Sequence, residues 1–241
     1  MPLLRPIIAV VLAAISSSPA LGVRIYSNLA TPVYDIAARP TGLSSPDGLK
    51  TIHAKEVDSQ GGSPWPFKVW VSYGGNDYPV PSGGQVNAEI LWSPDSTAFS
   101  LTYSDDGAVG QYHVLIYKFE VKGLRSFEPV RDSGKFFRTF CDPHQEPNVS
   151  AIRWANDSKS IFVALQVPPH SSCASMGTFR VVEVTVPDGK ALLMYDQLEA
   201  KRLFTESLGI ELKNADDECV QLIKACIPPG VTIPARRRDL E

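Results

Sequence analysis

Apolar and polar positions alternate with a period of two over much of residues 50–195, the pattern of strands with one covered face. Over 97–103, Phe99, Leu101 and Tyr103 share one face. Residues 111–121 are apolar on both faces, with Tyr112, Val114 and Ile116 opposite Leu115, Tyr117 and Phe119. A strand covered on both sides reads this way. Aromatic and β-branched residues fill Phe67–Tyr73. Further strands are predicted over 50–57, 88–92, 151–154, 160–167, 179–186 and 191–195. Residues 23–40 are mixed and contain Pro32 and Pro40, and they predict only a short first strand over 23–26. Turn residues separate the runs at Gly74-Gly75-Asn76-Asp77, Ser104-Asp105-Asp106-Gly107 and Pro187-Asp188-Gly189.

From Asp196 the period changes. Asp196 with Glu199 three residues later matches a capping box. Leu203, Phe204 and Leu208 then fall on one face at helical spacing, and Gly209 is a stop signal. A second helix is predicted near Asn214, with Cys219, Leu222, Ile223 and Cys226 on its buried face. Pro228-Pro229-Gly230 ends it.

One phrase recurs within the strand-rich part. Ile90-Leu91-Trp92-Ser93-Pro94-Asp95-Ser96 returns as Ile152-Arg153-Trp154-Ala155-Asn156-Asp157-Ser158. A shortened copy, Ser45-Pro46-Asp47-Gly48, lies upstream. The aspartates Asp47, Asp95 and Asp157 are spaced by 48 and then 62 residues. Repeats of about 40–50 residues suit four-stranded propeller blades. The longer second interval predicts an insertion over 127–147. In each copy the Asp side chain is expected to accept local backbone N–H groups, and Trp92 and Trp154 to wedge between neighbouring sheets.

These phrases resemble the repeat of TolB-like β-propellers, a W-S-P-D-G-type turn followed by an apolar strand. The resemblance covers 44–195 in separate pieces, and the first copy lacks the Trp. It implies an all-β fold of propeller-like antiparallel sheets, about three to four blades and incomplete, to which the helical period after Asp196 adds a short C-terminal extension. Closed propellers have four to eight blades. The resemblance speaks to fold more than to chemistry, because propellers host many unrelated functions.

The N-terminus changes the expected compartment. Arg5 precedes a largely apolar run over 6–15, and Ser16-Ser17-Ser18-Pro19-Ala20-Leu21-Gly22 follows it. This predicts a secretory signal peptide over 1–22, cut after Gly22, and a periplasmic or secreted protein. The apolar run is too short to span a bilayer. The predicted domains are then a sheet domain over 23–195 and a helical extension and tail over 196–241. Cys141, Cys173, Cys219 and Cys226 form an even set, which suits disulfides in an oxidising compartment. The expected pairs are Cys141–Cys173 and Cys219–Cys226. Seven residues of continuous helix would separate the second pair by about 10 Å, so that bond requires the helix to break before Cys226. The formal net charge of −3 gives no basic stripe for nucleic acid, and Arg236-Arg237-Arg238 reads as a solvated tail.

Chemistry is sparse. There is no G-x-S-x-G, P-loop, H-E-x-x-H or G-x-G-x-x-G motif. The densest polar group is Asp142, His144 and Glu146, with His170 beside Cys173. A Cys141–Cys173 bond would bring these onto one rim, as a contact surface or, less simply, a cation site. Trp65 in the loop Gly61-Gly62-Ser63-Pro64-Trp65-Pro66 is a second candidate contact, either an exposed anchor or a lid on the core. The expected function is non-enzymatic binding of an envelope or extracellular protein, with no cofactor and no resident metal. The alternatives are a hydrolase or lyase, with or without metal, at Asp142/His144/Glu146, and a subunit whose sheet edge completes a ring in an oligomer.

Overall fold

The turn phrases set the strand boundaries. The computed structural model describes residues 24–57, 67–85, 87–104, 110–121, 123–130, 146–171 and 175–217. Among these, three separate antiparallel sheets follow one another along the chain. The first contains β2 (Leu43–Ser44), β3 (Lys50–Glu56), β4 (Phe67–Tyr73) and β5 (Asn76–Pro79) in that order. The second runs β1 (Thr31–Pro32), β6 (Glu89–Trp92), β7 (Ala98–Ser104), β8 (Tyr112–Glu120) and β9 (Gly123–Phe127). The third runs β10 (Asn148–Trp154), β11 (Ser160–Gln166), β12 (Phe179–Thr185) and β13 (Ala191–Tyr195). No helix of the described residues is long and apolar enough to cross a membrane.

Side-chain alternation gives each sheet two faces, and successive faces bury one another. Ile52, Val69 and Val71 of the first sheet cluster with Ile90, Phe99 and Leu101 of the second. The opposite face of the second sheet, through Val114 and Ile116, meets Trp154, Ile161, Val163 and Leu165 of the third. The remaining face of the third sheet, through Ile152, Phe179 and Val181, is covered by helices: α2 (Gln197–Leu203) and α3 (Ile210–Lys213) contribute Ala200 and Leu212, with Phe204 and Leu208 between them.

Several sequence expectations need correction. Residues 24–30 form no strand; Ser27 makes one isolated bridge to Leu208, and the first strand is the two-residue β1 on the edge of β6. A five-residue helix, α1 (Val33–Ala37), follows and buries Val33 and Ile36. β5 and β9 are edge strands in which no residue is fully buried, so they lack the apolar alternation that signals a strand. β9 ends at Phe127, where the region read as the insertion begins, and 131–145 of that region lie outside the described residues.

The helical extension also differs in detail. Asp196 caps α2, its Oδ1 accepting the Glu199 N–H at 2.9 Å. Phe204 leaves the helix at φ −115°, so Leu203 does not share its buried face and is 44% exposed. The second helix begins at Ile210 rather than near Asn214, and Gly209 starts it rather than stopping the first. A Cβ at Gly209 would stand 2.4 Å from the Ile25 carbonyl oxygen. Glycine is needed there because residues 24–28 cross at close range, the Gly209 N–H donating to the Tyr26 carbonyl at 2.7 Å.

Candidate functional site

The repeated phrase builds one rim of the molecule. Asp47, Asp95 and Asp157 each accept, through Oδ1, the N–H two residues on, from Leu49, Thr97 and Lys159, at 3.0 Å in all three copies. The residue after each aspartate is left-handed: Gly48 at φ 71°, Ser96 at 61° and Ser158 at 60°. In the first two copies the leading serine hydroxyl donates to the aspartate, Ser45 at 2.5 Å and Ser93 at 2.7 Å. It also accepts the N–H five residues on, from Lys50 at 3.1 Å and Ala98 at 3.0 Å. Ala155 replaces that serine in the third copy, which therefore lacks this arm. Hydrogen bonds from Ser45, from the Leu49 N–H and from Lys50 hold the Asp47 carboxyl well below the usual carboxylate range. Burial would raise Asp95, but the Thr97 N–H and the hydroxyls of Ser93, Thr97 and Ser158 outweigh it and lower it.

Serine hydroxyls also join the copies to one another. The Asp47 N–H donates to Ser96 Oγ at 2.9 Å, and the Asp95 N–H donates to Ser158 Oγ at 3.1 Å. The tryptophans repeat this one-sheet offset. Trp154 lies in the core shared with the second sheet and donates from Nε1 to the Leu91 carbonyl at 3.1 Å. Trp92 packs on the core shared with the first sheet, with Phe99 and Phe119, but its Nε1 has no acceptor among the described residues. The equivalent position in the first copy is the exposed Ser44, and among the described residues no further sheet packs beyond the first. Gly48, without a hydroxyl, takes the position of Ser96 and Ser158. These phrases are thus structural, and they use up the rim on which they stand.

The opposite rim is chemically different. β7 runs from its turn phrase to Ser104, which faces Tyr112 at the start of β8. β11 runs from its phrase to Gln166, which faces Asn148 on one side and Phe179 on the other. The Tyr112 N–H donates to Asn148 Oδ1 at 3.2 Å, tying the far ends of the second and third sheets. Between them lies a cleft of about 70 Å³, bordered by Tyr26, Tyr112, Asn148, His170 and Glu211. Asn148 Nδ2 donates to the Tyr26 hydroxyl at 3.2 Å, and the two tyrosine rings meet edge to face at 4.8 Å. Burial, with Glu89 and Glu211 nearby, pushes the Tyr112 phenol up to about 12 and raises Tyr26 as well, so both stay neutral.

Beneath the cleft the segment 24–30 is anchored by a buried carboxylate. Glu89 is 3% exposed, and its oxygens accept three consecutive backbone N–H groups, from Ile25, from Tyr26 at 3.3 Å and from Ser27 at 3.4 Å. Burial raises its carboxyl to about 7 against the pull of those bonds. Ser27 Oγ donates to the Ile152 carbonyl at 2.8 Å, and the Asn28 N–H to that of Ser207 at 2.9 Å. One short segment therefore links the second sheet, the third sheet and the helical extension.

Of the residues singled out by sequence, His170 borders the cleft. Glu146 is exposed, two residues before Asn148, beside Pro147 whose carbonyl accepts from Gln111 at 3.4 Å. Trp65, Asp142, His144 and all four cysteines lie outside the described residues, as do Asp105 and Asp106. His113 faces Tyr103 across β7 and β8, ring centroids 5.6 Å apart. Tyr26, Tyr112, Asn148, Glu89 and Glu211 escaped the sequence reading. Asn148 is 3% exposed with its amide engaged at both ends. Glu89 did carry a signal, a lone acid in the apolar run Ala88-Glu89-Ile90-Leu91.

Among the described residues no three His, Cys, Asp or Glu side chains are grouped to hold a metal ion. No family model matches the chain, and no curated protein matches it.

Proposed function

We propose that this chain is a non-enzymatic binding protein of the periplasm or extracellular space. Its three sheets act as the blades of a partial TolB-like propeller, a rigid scaffold for contact loops. The partner is an envelope or extracellular protein, held at the rim opposite the turn phrases. The observation that carries this reading is the division of labour between the two rims. The phrase rim spends its aspartates and serines on one another, while the opposite rim holds a cleft with a histidine and a carboxylate. The strand ends that flank 58–66 and 131–145 also point away from the phrases. The helices on the third sheet's outer face stand where a fourth blade would pack.

Cross-linking in the native envelope or culture fluid tests the reading. A photoreactive group at position 170 is expected to capture one discrete partner, and one at Leu49 on the phrase rim is expected not to. Capture at Leu49 and none at position 170 would refute the assignment of the rim.

A further inference from the structure

We propose that the far-rim cleft is a subsite for a guanidinium or primary ammonium group, the head of an arginine or lysine side chain on the protein partner. This rests on the binding reading above and gives it a chemical class. The cleft's size comes first. About 70 Å³ suits a head group of a few atoms, not a drug-sized ligand, whose pockets run to about 300–1,000 Å³. The sign of its charge comes next. Glu211, on α3, brings a half-buried carboxylate to the lining, where an anionic ligand would be repelled. No ion pair to Glu211 occurs among the described residues, where the pairs are Lys50–Asp47, Arg125–Glu120 and Lys201–Asp217.

An independent observation concerns hydrogen bonding. Gln166, 0% exposed, donates from Nε2 to Glu211 Oε1 at 3.3 Å and to the Gly177 carbonyl at 3.2 Å. Among the described residues its Oε1 has no donor, although it is buried. A buried acceptor without a donor is costly, about 1–3 kcal/mol in general. The residue bonded to Glu211 thus holds a buried acceptor that lacks a donor, while the cleft's own lining adds the imidazole of His170. Guanidinium carries five N–H donors and ammonium three, and neither carries an acceptor. Pro168, Pro169 and the two tyrosines flank the site with flat apolar surface, which suits the face of a guanidinium or the stem of a lysine.

NMR titration of the whole protein with methylguanidinium tests this, with methylurea as a neutral probe of similar shape and methylammonium as the second cation. Saturable shifts at Tyr26, Tyr112 and Glu211 are expected with the cations, and none with methylurea. Glu211→Gln is expected to weaken methylguanidinium binding by about tenfold or more. Glu211→Asp, which keeps the charge but shortens its reach, should weaken it less and serves if the first variant does not fold. Glu206→Gln, an exposed carboxylate on the same segment, should leave binding unchanged. Equal shifts with methylurea, or full affinity in Glu211→Gln, would overturn the proposal. Failure here also separates from failure of the rim reading. Partner capture at position 170 that survives Glu211→Gln removes the cation subsite alone, whereas Glu211-dependent methylguanidinium binding without any capture removes the protein-binding rim alone.

Discussion

The backbone N–H of Asp47 donates to the hydroxyl of Ser96 at 2.9 Å, so a turn in the first sheet is fastened to the left-handed residue of a turn in the second. Asp95 and Ser158 repeat this at 3.1 Å between the second and third sheets. Serine at a left-handed position carries a conformational cost of about 1–2 kcal/mol that glycine avoids. The inter-sheet bond offsets it.

That balance orders two substitutions at one site. Ser96→Ala keeps the left-handed backbone and loses the bond, and should cost about 1 kcal/mol. Ser96→Gly loses the same bond but relieves the backbone, and should come out less destabilising than alanine. Urea unfolding of the two variants checks the order. Glycine worse than alanine would show that the hydroxyl bond, or the positive φ, is not what the geometry indicates.

The turn phrases were legible because their chemistry is local. A Pro-Asp-Ser or Asn-Asp-Ser stretch fixes its own hydrogen bonds, and the hairpins β6–β7 and β10–β11 follow directly from it. Strands covered on one or both faces were legible for a similar reason, since burial writes a period into the sequence. Edge strands β5 and β9 were not, because solvent on their exposed positions removes the period. The cleft was illegible for a different reason. Tyr26, Tyr112, Asn148 and Glu211 are spread along the chain and meet only through tertiary folding. No local pattern marks a side chain whose role depends on partners a hundred residues away, and Glu89, a lone acid in an apolar run, is the one local irregularity among them.

The two phrase tryptophans should not be equivalent energetically. Trp154 is 5% exposed and bonded through Nε1 to Leu91, whereas Trp92 is only partly buried and its Nε1 is unbonded. Trp154→Ala should cost about 3–5 kcal/mol. Trp92→Phe discards an unsatisfied N–H and keeps an aromatic ring against Phe99 and Phe119, and should cost less than about 1.5 kcal/mol. Denaturation midpoints of the two variants give the comparison directly, and equal losses would contradict it.

The helical extension should detach locally before the sheets unfold. α2 has only seven residues and leans on its Asp196 cap and on Phe204, which packs on Phe162 and Tyr195. Asp196→Ala should cost about 1 kcal/mol by loss of the cap. Hydrogen exchange should show that loss in amides 197–204 while β11 and β12 keep their protection. Uniform loss across the third sheet would mean that helix and sheet form one cooperative unit.

Glu89 should make stability depend on pH near neutrality. Its carboxyl is raised by burial from an ordinary 4.5 to about 7 in the folded protein. Between those values the folded chain holds a proton that the unfolded chain has released, so stability falls as pH rises through this window. The contribution is fully present below about 4.5 and is lost as pH rises through about 7, a swing of about 3 kcal/mol at 1.36 kcal/mol per unit. Asp47 and Asp95 act in the opposite sense. Their lowered carboxyls stabilise the turns above the ordinary aspartate value of 3.8, and that support is lost as pH falls below it. With respect to these groups, stability should therefore peak at about pH 4–5 and decline on both sides. Glu89→Gln cannot ionise and should flatten the alkaline limb while leaving the acid limb in place. Urea unfolding from pH 3 to 9 measures both limbs. A stability that rises between pH 5 and 8, or an alkaline limb unchanged in Glu89→Gln, would show that the carboxylate beneath residues 25–27 is ionised throughout and held by its three N–H bonds.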